Sequence, residues 1–375
     1  MVKDTLITLV RDHNESGVIL AKKYKIKNII LVANNLEKDE KLNSLRELYK
    51  GNNPNINVKF ICDDINKILL DIKNSKNNII LNLTLENTLE ALKILYKCRE
   101  FNIDGVYVDV LNKREYWFKD NLELVEEELI DLYLEDMFKA SGNDIISKES
   151  QLTKDNHILE FSKLIYENID LWNKYKQILY DTEIFYHDYD NTKVVVINES
   201  KLNNEVKDIL NKILYRFENL NLIKINRDKN IQVTFLNDYL KGFIFKSGTW
   251  LEVLTESIVK NIKSVDEVKS GVVFLWNKPQ GNIKNELDVV AVKDSILVCI
   301  SCKDSSKYDE STLNELEVYS NRIGGEKAKK ILIATKKPNK SSIIDRAKEM
   351  GIHLIILNKD INKFKEKLED IISKS

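Results

Sequence analysis

The feature that most constrains the fold is a hairpin signal in the last third of the chain. Two apolar runs flank a polar turn at Lys293-Asp294-Ser295. We read them as two antiparallel strands, which places Asp288 opposite residues 299–301, depending on the register. Side chains alternate between the two faces of a strand, so Ser301 and Lys303 share one face. The pattern therefore predicts that a carboxylate and a lysine converge at the end of a sheet.

Such a set suits the hydrolysis of a phosphodiester. Carboxylates hold a hard divalent cation, the cation activates a water, and a lysine stabilises the transition state. Glu286 shares a strand face with Asp288, and a helix that opens at Gly248-Thr249-Trp250-Leu251-Glu252 can deliver Glu252 to the same place. The plain alternative is a surface hairpin with ordinary charges.

The overall charge is nearly balanced. Lys and Arg number 58 and Asp and Glu 59, so no global basic field points to nucleic acid. The distribution is uneven, because residues 241–375 hold 24 basic and 19 acidic residues, a net charge of +5. A modestly basic C-terminal part suits a polyanionic substrate.

Cysteine use and hydropathy predict a cytoplasmic protein without a membrane partner. The four cysteines resemble reduced cytosolic thiols. Cys299 and Cys302 form a C-x-x-C, but on a strand they point to opposite faces and no second pair follows, so neither zinc nor redox chemistry is expected. No signal peptide and no apolar run of membrane-spanning length is visible.

Residues 1–120 alternate between short apolar runs and helical stretches, which predicts an α/β domain with a Rossmann-like parallel sheet covered on both faces. The predicted strands are 6–10, 28–33, 58–61, 79–83 and 105–111, with 116–118 at the edge. Ligands of such sheets bind beyond the carboxyl ends of the strands, at the topological switch point.

Polar residues follow two of these strands and are the predicted ligand-binding residues. They are Arg11, Asp12, His13 and Asn14 after the first strand, and Asn82, Thr84, Asn87 and Thr88 after the fourth. Backbone N–H groups at the helix that follows the fourth strand can hold an anion. The alternative is that these side chains only cap helices and that His13 is an exposed loop residue.

Residues 121–240 are predicted to be a connector of helices and a hairpin. An acidic helix is expected at 122–140 and a long helix at 158–180, in which Trp172 is a packing residue. A helix at 202–217 followed by strands at 222–225 and 231–235 resembles a winged helix. A DNA-contacting wing therefore stands as an alternative to a plain connector.

Residues 241–375 are predicted to form a second α/β domain around the hairpin. The helix from Thr249 carries an apolar stripe, and a strand is expected at 272–276. After the hairpin, a helix at 311–322, a strand at 331–334, a helix at 341–350 and a strand at 353–357 complete the core.

This combination resembles the two-domain ancillary nucleases of type III CRISPR systems, which join a CRISPR-associated Rossmann-fold (CARF) sensor to a restriction-endonuclease-like domain of the PD-(D/E)xK type. The family pattern runs Gly-x-Trp-Leu-Glu, Asn-Glu-Leu-Asp, Glu-Cys-Lys and a late Gly-Gly. Here it reads GTWLE, NELD, SCK and Gly324-Gly325.

The resemblance implies a function and roles for the site residues. It implies a homodimer that cyclic tetra-adenylate activates and that cuts DNA, with RNA as a second substrate, with a divalent metal, Mn²⁺ or Mg²⁺. Asp288 would be a metal ligand, Glu252 a supporting acid and Lys303 the catalytic lysine. Cys302 would reach the metal through its backbone carbonyl.

Two departures from the family pattern bear on these roles. Ser301 stands where the family has the glutamate of Glu-Cys-Lys, which removes a metal ligand and predicts weak or absent cleavage. The sensor motif Asn-x-Thr-Gly-Gly-Thr-Lys reads Asn-Leu-Thr-Leu-Glu-Asn-Thr from Asn82 on, without its glycines or its lysine. The identity of the sensor's ligand is therefore left open.

Two other classes of function remain beside the ligand-gated nuclease. One is a catalytically inactive sensor that only binds nucleic acid, which Ser301 favours. The other is a repair or junction-cleaving nuclease without a small-molecule trigger, against which the Rossmann-like half argues.

Overall fold

The structure is a computed structural model, which describes residues 3–33, 39–51, 53–62, 65–72, 78–85, 87–119, 124–147, 152–237, 239–245, 248–278 and 281–374. Its mixed α/β architecture confirms the predicted fold class. Among the described residues, no helix combines the length and the apolarity that a membrane span needs.

The N-terminal sheet is parallel at its centre and antiparallel at one edge. In the described part of the chain, its strands are β1 (Thr5–Leu9), β2 (Asn28–Val32), β3 (Asn57–Ile61), β4 (Ile79–Asn82), β5 (Asp104–Asp109), β6 (Arg114–Phe118) and β7 (Leu124–Glu128), in the order β3-β2-β1-β4-β5-β6-β7. The helices between them are α1 (Glu15–Lys23), α2 (Asp39–Lys50), α3 (Ile65–Ile72) and α4 (Thr88–Phe101). The strand order reverses between β1 and β4, so the predicted switch point lies there.

The acidic helix predicted at 122–140 is wrong over its first half. Residues 124–128 form β7, which pairs antiparallel with β6, and only Leu134–Ala140 is helical, as α5. The strand is stabilised by Lys23, whose ammonium donates to Glu127 Oε2 at 3.1 Å and to the carbonyl of Glu128 at 2.5 Å. Pairing with β6 therefore overrides the helical propensity of a glutamate-rich run.

The region predicted as a connector holds a second, smaller sheet. After β8 (Asp144–Ser147) come α6 (Asn156–Glu167), α7 (Ile169–Tyr175), β9 (Phe185–His187), β10 (Val194–Ile197), α8 (Asn204–Asn219), β11 (Ile223–Arg227), β12 (Ile231–Phe235) and α9 (Leu240–Phe245). Strands β9 to β12 form an antiparallel sheet in the order β11-β12-β10-β9. The predicted helix and hairpin are α8, β11 and β12.

The long helix predicted at 158–180 is wrong in its continuity. It divides into α6 and α7 at Asn168, whose backbone leaves the helical region at φ −115° and ψ 37°. The Asn168 side-chain amide donates to the carbonyl of Leu164 at 2.9 Å. This local bond competes with the helical ladder and bends the chain.

The C-terminal sheet contains the predicted hairpin at its centre. Its elements are α10 (Thr249–Lys260), β13 (Glu267–Lys278), β14 (Gly281–Lys293), β15 (Ile296–Lys303), α11 (Glu310–Gly324), β16 (Lys329–Ala334), α12 (Ser342–Glu349), β17 (Ile352–Ile356) and α13 (Ile361–Ser373). The sheet order is β17-β16-β15-β14-β13-β8. β8, from the predicted connector, is thus an edge strand of this sheet.

Helices cover both faces of the C-terminal sheet. On one face α10 packs against Val289, Ile300 and neighbouring apolar residues. On the other, α11 packs over Cys299, and the same apolar cluster continues through α5 into the N-terminal sheet. Phe138 of α5 meets Phe274 of β13 edge to face, with ring centroids 5.5 Å apart. The N-terminal half is therefore packed directly on the face of the sheet that carries α11.

Candidate active site

The turn of the hairpin fixes which residue lies opposite Asp288. Asp294 and Ser295 both have positive φ, 55° and 61°, as a tight two-residue turn requires. The ladder then runs from Lys293 and Ile296 to Val289 and Ile300. The next position places Asp288 opposite Ser301, within the predicted range.

The regular ladder ends at Asp288, and its side chain takes over the hydrogen bonding. Asp288 Oδ2 accepts the backbone N–H of Cys302 at 2.7 Å and the hydroxyl of Ser301 at 3.1 Å. The ammonium of Lys303 lies 3.6 Å from the same oxygen. On the neighbouring strand, Gly271 lies across from Asp288 and has a φ of +57°. Its left-handed backbone breaks the regularity of β13 beside the site.

Asp288, Ser301 and Lys303 line one shallow cavity on the α11 face of the sheet. Its other lining residues are Glu286, Leu287, Thr312, Glu315, Leu316 and Tyr319. The cavity volume of about 40 Å³ has room for an ion and a water or two rather than for a nucleotide. The hairpin and α11 together therefore form a small site with oxygen donors and one cation.

Cys302 and Glu252 lie on the opposite side of β15. The Cys302 thiol is buried against α10, with Sγ 3.7 Å from Thr255 Oγ1. Burial, with the charges of Asp288 and Glu252, raises the pKa of this thiol well above its ordinary value. A protonated, buried thiol is not a metal ligand. Glu252 is half-buried near Cys302, and the lining of the cavity described above does not include it.

A buried carboxylate immediately after Lys303 joins three elements. Asp304 Oδ2 accepts the indole N–H groups of Trp172 at 2.7 Å and Trp250 at 2.9 Å. Lys176 donates to Asp304 Oδ1 at 2.7 Å and to its carbonyl at 2.5 Å. Trp172 is thus more than a packing residue. The contact fixes the end of β15 against the first turn of α10, which carries Glu252.

Sequence reasoning gave no role to Asp304 or Glu315. Asp304 contacts Lys176 and Trp172, which are 128 and 132 positions earlier in the chain, and the local sequence around Asp304 does not predict such partners. Glu315 had a weak signal, since Thr312, Leu316 and Tyr319 recur at helical spacing around it on one face of α11.

The predicted sensor residues lie at the switch point, and several make structural contacts there. Arg11 Nη2 donates to Glu90 Oε2 of α4 at 2.5 Å, which joins the segments after β1 and β4. Asn14 is buried and donates to the carbonyls of Arg11 at 2.6 Å and Ala140 at 2.8 Å.

The residues after β4 behave similarly. Asn82 is buried, and its amide donates to Thr8 Oγ1 at 3.0 Å and Ser16 Oγ at 2.9 Å. Thr84 Oγ1 accepts the N–H of Val108 at 2.8 Å. Asn87 caps α4 by accepting the N–H of Glu90 at 3.0 Å, and Thr88 follows at the exposed helix start. These bonds hold the two segments in place, and ligand binding by these residues remains a prediction.

Asp12 and His13 face the nuclease-like half. Burial favours the neutral acid, but the ammonium of Lys41, 3.2 Å away, and the charge of Arg322 hold the pKa of Asp12 below its ordinary value. A Cβ built on Gly325 would lie 3.3 Å from the His13 ring, and Gly325 has a φ of +67°. The predicted Gly324-Gly325 pair therefore marks the contact between the sensor segment and the end of α11.

A second group of carboxylates lies at the hairpin turn. One oxygen each of Asp131, Asp266 and Asp294 lie within 4.8 Å of one another. Lys113 forms an ion pair with Asp294, and Lys293 lies 3.2 Å from it. These lysines offset the charge of Asp294, and the Lys113–Asp294 pair joins the N-terminal sheet to the hairpin turn.

Comparisons with known proteins give a family match for the C-terminal part of the chain. Residues 241–374 match the family described as the Card1-like endonuclease domain. A comparison of the sequence with curated proteins found no match.

Several solved structures share the fold over the whole chain. Protein VC1899 from Vibrio cholerae gives a TM-score of 0.73 at 17% identity, over 99% of this chain and 96% of its own. Can2 from Sulfobacillus thermosulfidooxidans, in complex with cyclic tetra-adenylate, gives 0.70 at 20% identity, over 99% and 98%. A type III CRISPR defence DNA nuclease activated by cyclic oligoadenylate gives 0.56 at 14% identity, over 100% and 52%.

At these identities the solved structures show the shared fold, and the domain match adds the family of the C-terminal part. The resemblance drawn from the motifs is therefore confirmed: the whole chain shares the fold of Can2 and of a type III CRISPR defence nuclease, and residues 241–374 match the Card1-like endonuclease domain.

Proposed function

We propose that this protein is a metal-dependent endonuclease that a cyclic oligoadenylate activates in antiviral defence. The observation that carries the proposal is the Asp288–Ser301–Lys303 cluster, which lies within the part of the chain that matches the endonuclease domain. DNA is the proposed substrate, cut by nicking or on single strands, with RNA as a second substrate.

The donor set of the cavity fits a hard divalent cation such as Mn²⁺ or Mg²⁺. Asp288 and Glu286 offer carboxylate oxygens and Ser301 a hydroxyl, and such cations prefer oxygen ligands. The backbone carbonyl of Cys302 is the further ligand that the family resemblance implies. Asp288 would hold the ion, and Glu252, which lies on the opposite side of β15, would support the site from outside the cavity rather than as a ligand. A bound cation supplies an activated water and neutralises the charge that develops on the phosphate. Ser301 is a poorer ligand than a carboxylate, so metal affinity is expected to be modest.

Lys303 has the position of the catalytic lysine. Its ammonium lies beside Asp288 and is about one-third exposed, so it reaches both the carboxylate and the solvent side of the cavity. There it orients the attacking water or stabilises negative charge on the phosphate oxygens. Asp304, fixed by two indoles and Lys176, holds the backbone of the preceding residue in place and limits the directions that Lys303 can take.

The activator is proposed to be cyclic tetra-adenylate, bound by a homodimer. The support is the bound ligand named for Can2 and the two polar segments after β1 and β4. A two-fold ligand matches an isologous interface, in which each subunit offers the same groups.

Helix α11 is the proposed route from the sensor to the nuclease site. Its C-terminal end lies beside His13, whose ring would be 3.3 Å from a Cβ built on Gly325, and its middle lines the cavity with Glu315 and Tyr319. Nine residues separate Glu315 from the helix end at Gly324, or about 13 Å at 1.5 Å per residue. A shift of the segment after β1 can therefore reach the cavity through one rigid element.

The function is tested with supercoiled plasmid and with RNA, each with and without Mn²⁺ and cyclic tetra-adenylate. Cleavage that needs both additions supports the proposal. Thermal shift with a series of cyclic oligoadenylates tests the sensor separately, since a ligand present at 100 times its Kd stabilises the folded state by about 2.7 kcal/mol.

A second candidate function is favoured by Ser301 alone. With a neutral hydroxyl at this position, the protein can be a sensor that binds nucleic acid without cutting it. Binding of DNA in a gel-shift assay, with intact DNA under every metal and activator condition, would favour this function.

A further inference from the structure

Among the described residues, the cavity holds two carboxylates besides that of Asp288. Position 301 contributes a hydroxyl, and among the strand residues Asp288 makes the central contacts. Glu286 and Glu315 line the same cavity. Either could supply the negative charge that Ser301 lacks, and the structure distinguishes them by the direction of each side chain.

Glu286 is directed toward the other neighbouring strand. Its Oε1 lies 3.9 Å from the position of a Cβ built on Gly271 of β13. β13 and β15 flank β14 on opposite sides, so this carboxylate leans away from Ser301 and Lys303. Glu286 and Glu315 are both exposed, so the direction of the side chain, and not burial, distinguishes them.

Glu315 projects from α11, which packs over β15. Leu313 and Leu316, which are 0% and 2% exposed, anchor this turn of the helix in the core. Tyr319, one turn later, lines the same cavity, and its hydroxyl donates to Asn285 Oδ1 at 3.0 Å. Burial and the nearby Glu315 carboxylate raise the pKa of Tyr319 to about 12. Glu315 is thus held on the cavity side of a fixed helix turn.

The other acids on this helix have different surroundings. Glu317 Oε2 accepts from Lys330 Nζ at 2.6 Å, and its Oε1 accepts from the Asn321 amide at 2.8 Å. Glu310 lies in the first turn and is exposed. Glu315 is therefore the acid of α11 that shares the cavity with Asp288, Ser301 and Lys303.

We propose that Glu315 supplies the second carboxylate of the metal site, in place of the acid that the motif lacks at Ser301. The proposal rests on the proposed metal dependence of the nuclease. A glutamate on α11 and an aspartate on β14 together give a hard cation two anionic oxygen ligands, and Lys303 keeps its place beside Asp288. One ligand then belongs to the helix whose end touches the sensor segment.

The test is Mn²⁺ binding to the full-length protein, measured by isothermal titration calorimetry in the absence of nucleic acid. Glu315→Gln keeps the size and removes the charge, and Glu310→Gln is the matched control on the same helix. We expect Glu315→Gln to weaken Mn²⁺ binding about tenfold or more, Glu286→Gln to weaken it less than about threefold, and Glu310→Gln to leave it unchanged. Melting temperatures of the apo variants confirm that each one folds.

A double variant tests directly whether the second carboxylate can lie either on α11 or on β15. In Ser301→Glu/Glu315→Gln the second carboxylate returns to the strand, so Mn²⁺ affinity should recover to the parental value or above it. Unchanged affinity in Glu315→Gln, the larger loss in Glu286→Gln, or no Mn²⁺ binding by the parent overturns the proposal. Binding that depends on Glu315 without any cleavage leaves the ligand assignment intact and contradicts the nuclease function alone.

Discussion

The carboxylate of Asp288 accepts the backbone N–H of Cys302 at 2.7 Å, where the regular pairing of β14 and β15 stops. One oxygen therefore holds the end of the hairpin together and faces Ser301 and Lys303 as well. Asp288→Asn should keep the shape but lose the charge, and cleavage should fall roughly 10²-fold or more. The initial rate of plasmid nicking checks this, and wild-type rates in Asp288→Asn would remove this residue from the site.

Ser301→Glu should make the site more dependent on metal. Without a cation the new carboxylate would face Asp288 and repel it, so the melting temperature in chelator should fall. Added Mn²⁺ should raise the melting temperature of this variant more than that of the parent, and cleavage should increase about tenfold. Ser301→Ala is the control, since it loses one hydrogen bond worth about 1 kcal/mol and gains no ligand. Equal metal responses in all three proteins would show that position 301 does not face the metal site.

Lys176→Met should destabilise the protein strongly. Asp304 is 2% exposed at its side chain, and removal of its cation leaves a buried charge whose remaining side-chain donors, among the described residues, are two indoles. Breaking a buried pair in this way destabilises by about 3–5 kcal/mol. Lys174→Met is the matched control on the same helix, because Lys174 is 70% exposed and its pairing with Glu205 is worth about 0–1 kcal/mol. Denaturant unfolding measures both, and equal losses would contradict a structural role for the Lys176–Asp304 pair.

Asp294 should stabilise the folded protein only at pH values above the pKa of its carboxyl group. Burial favours the neutral acid, but hydrogen bonds from Lys113 and Lys293 hold the pKa of Asp294 below its ordinary value. Because the pKa of Asp294 is lower in the folded state, its ionised carboxylate stabilises the protein fully at pH values above the unfolded-state pKa of about 3.9. This contribution is lost as the pH falls through the folded-state pKa. Asp294→Asn, which tolerates the positive φ, should therefore melt lower than the parent at pH 7.

The difference in melting temperature between Asp294→Asn and the parent should then shrink as the pH falls below about 4. Asp228→Asn, at an exposed turn, serves as the control and should show little difference at any pH. A difference in melting temperature that stays constant as the pH falls would mean that the charge of Asp294 does not contribute to stability.

Gly325→Ala should reduce activation more than stability. Gly325 and Gly351 have nearly equal φ values, +67° and +66°, so an alanine at either position strains the backbone by about 1 kcal/mol. Only at Gly325 does the added Cβ meet His13, since nothing lies within 4 Å at Gly351. The dependence of cleavage on cyclic tetra-adenylate concentration should therefore change in Gly325→Ala and stay parental in Gly351→Ala. Identical activation curves would remove α11 from the proposed route.

The sequence predicted the local parts of this architecture. The two-residue turn fixes the hairpin register through the positive φ of Asp294 and Ser295, and the apolar spacing of α11 gave its range to within two residues. Contacts between distant elements were out of reach. β7 forms because its glutamate-rich run pairs with the backbone of β6 and because Lys23 donates a hydrogen bond to the Glu127 carboxylate. Similarly, Asp304 gains its partners only when α7 packs against the end of β15.

The candidate site was predictable to the same extent. The motif gave Asp288 and Lys303, whose proximity follows from one hairpin. Glu315 comes from a helix whose position over the sheet depends on the whole domain, so no spacing rule could select it over Glu317. The predicted ligand-binding residues do lie at the ends of β1 and β4. The buried amides of Asn14 and Asn82, however, donate hydrogen bonds to a backbone carbonyl and to a neighbouring hydroxyl within the protein.

The central claim is that a sensor ligand and a metal ion together switch on cleavage at the Asp288–Lys303 site. The most direct measurement is the nicking rate of supercoiled plasmid with Mn²⁺, cyclic tetra-adenylate, both or neither, for the parent, Ser301→Glu and Lys303→Ala. We predict slow nicking by the parent only when both are present, faster nicking by Ser301→Glu, and none by Lys303→Ala. Intact plasmid with both the parent and Ser301→Glu, or equal nicking by Lys303→Ala, would contradict the claim.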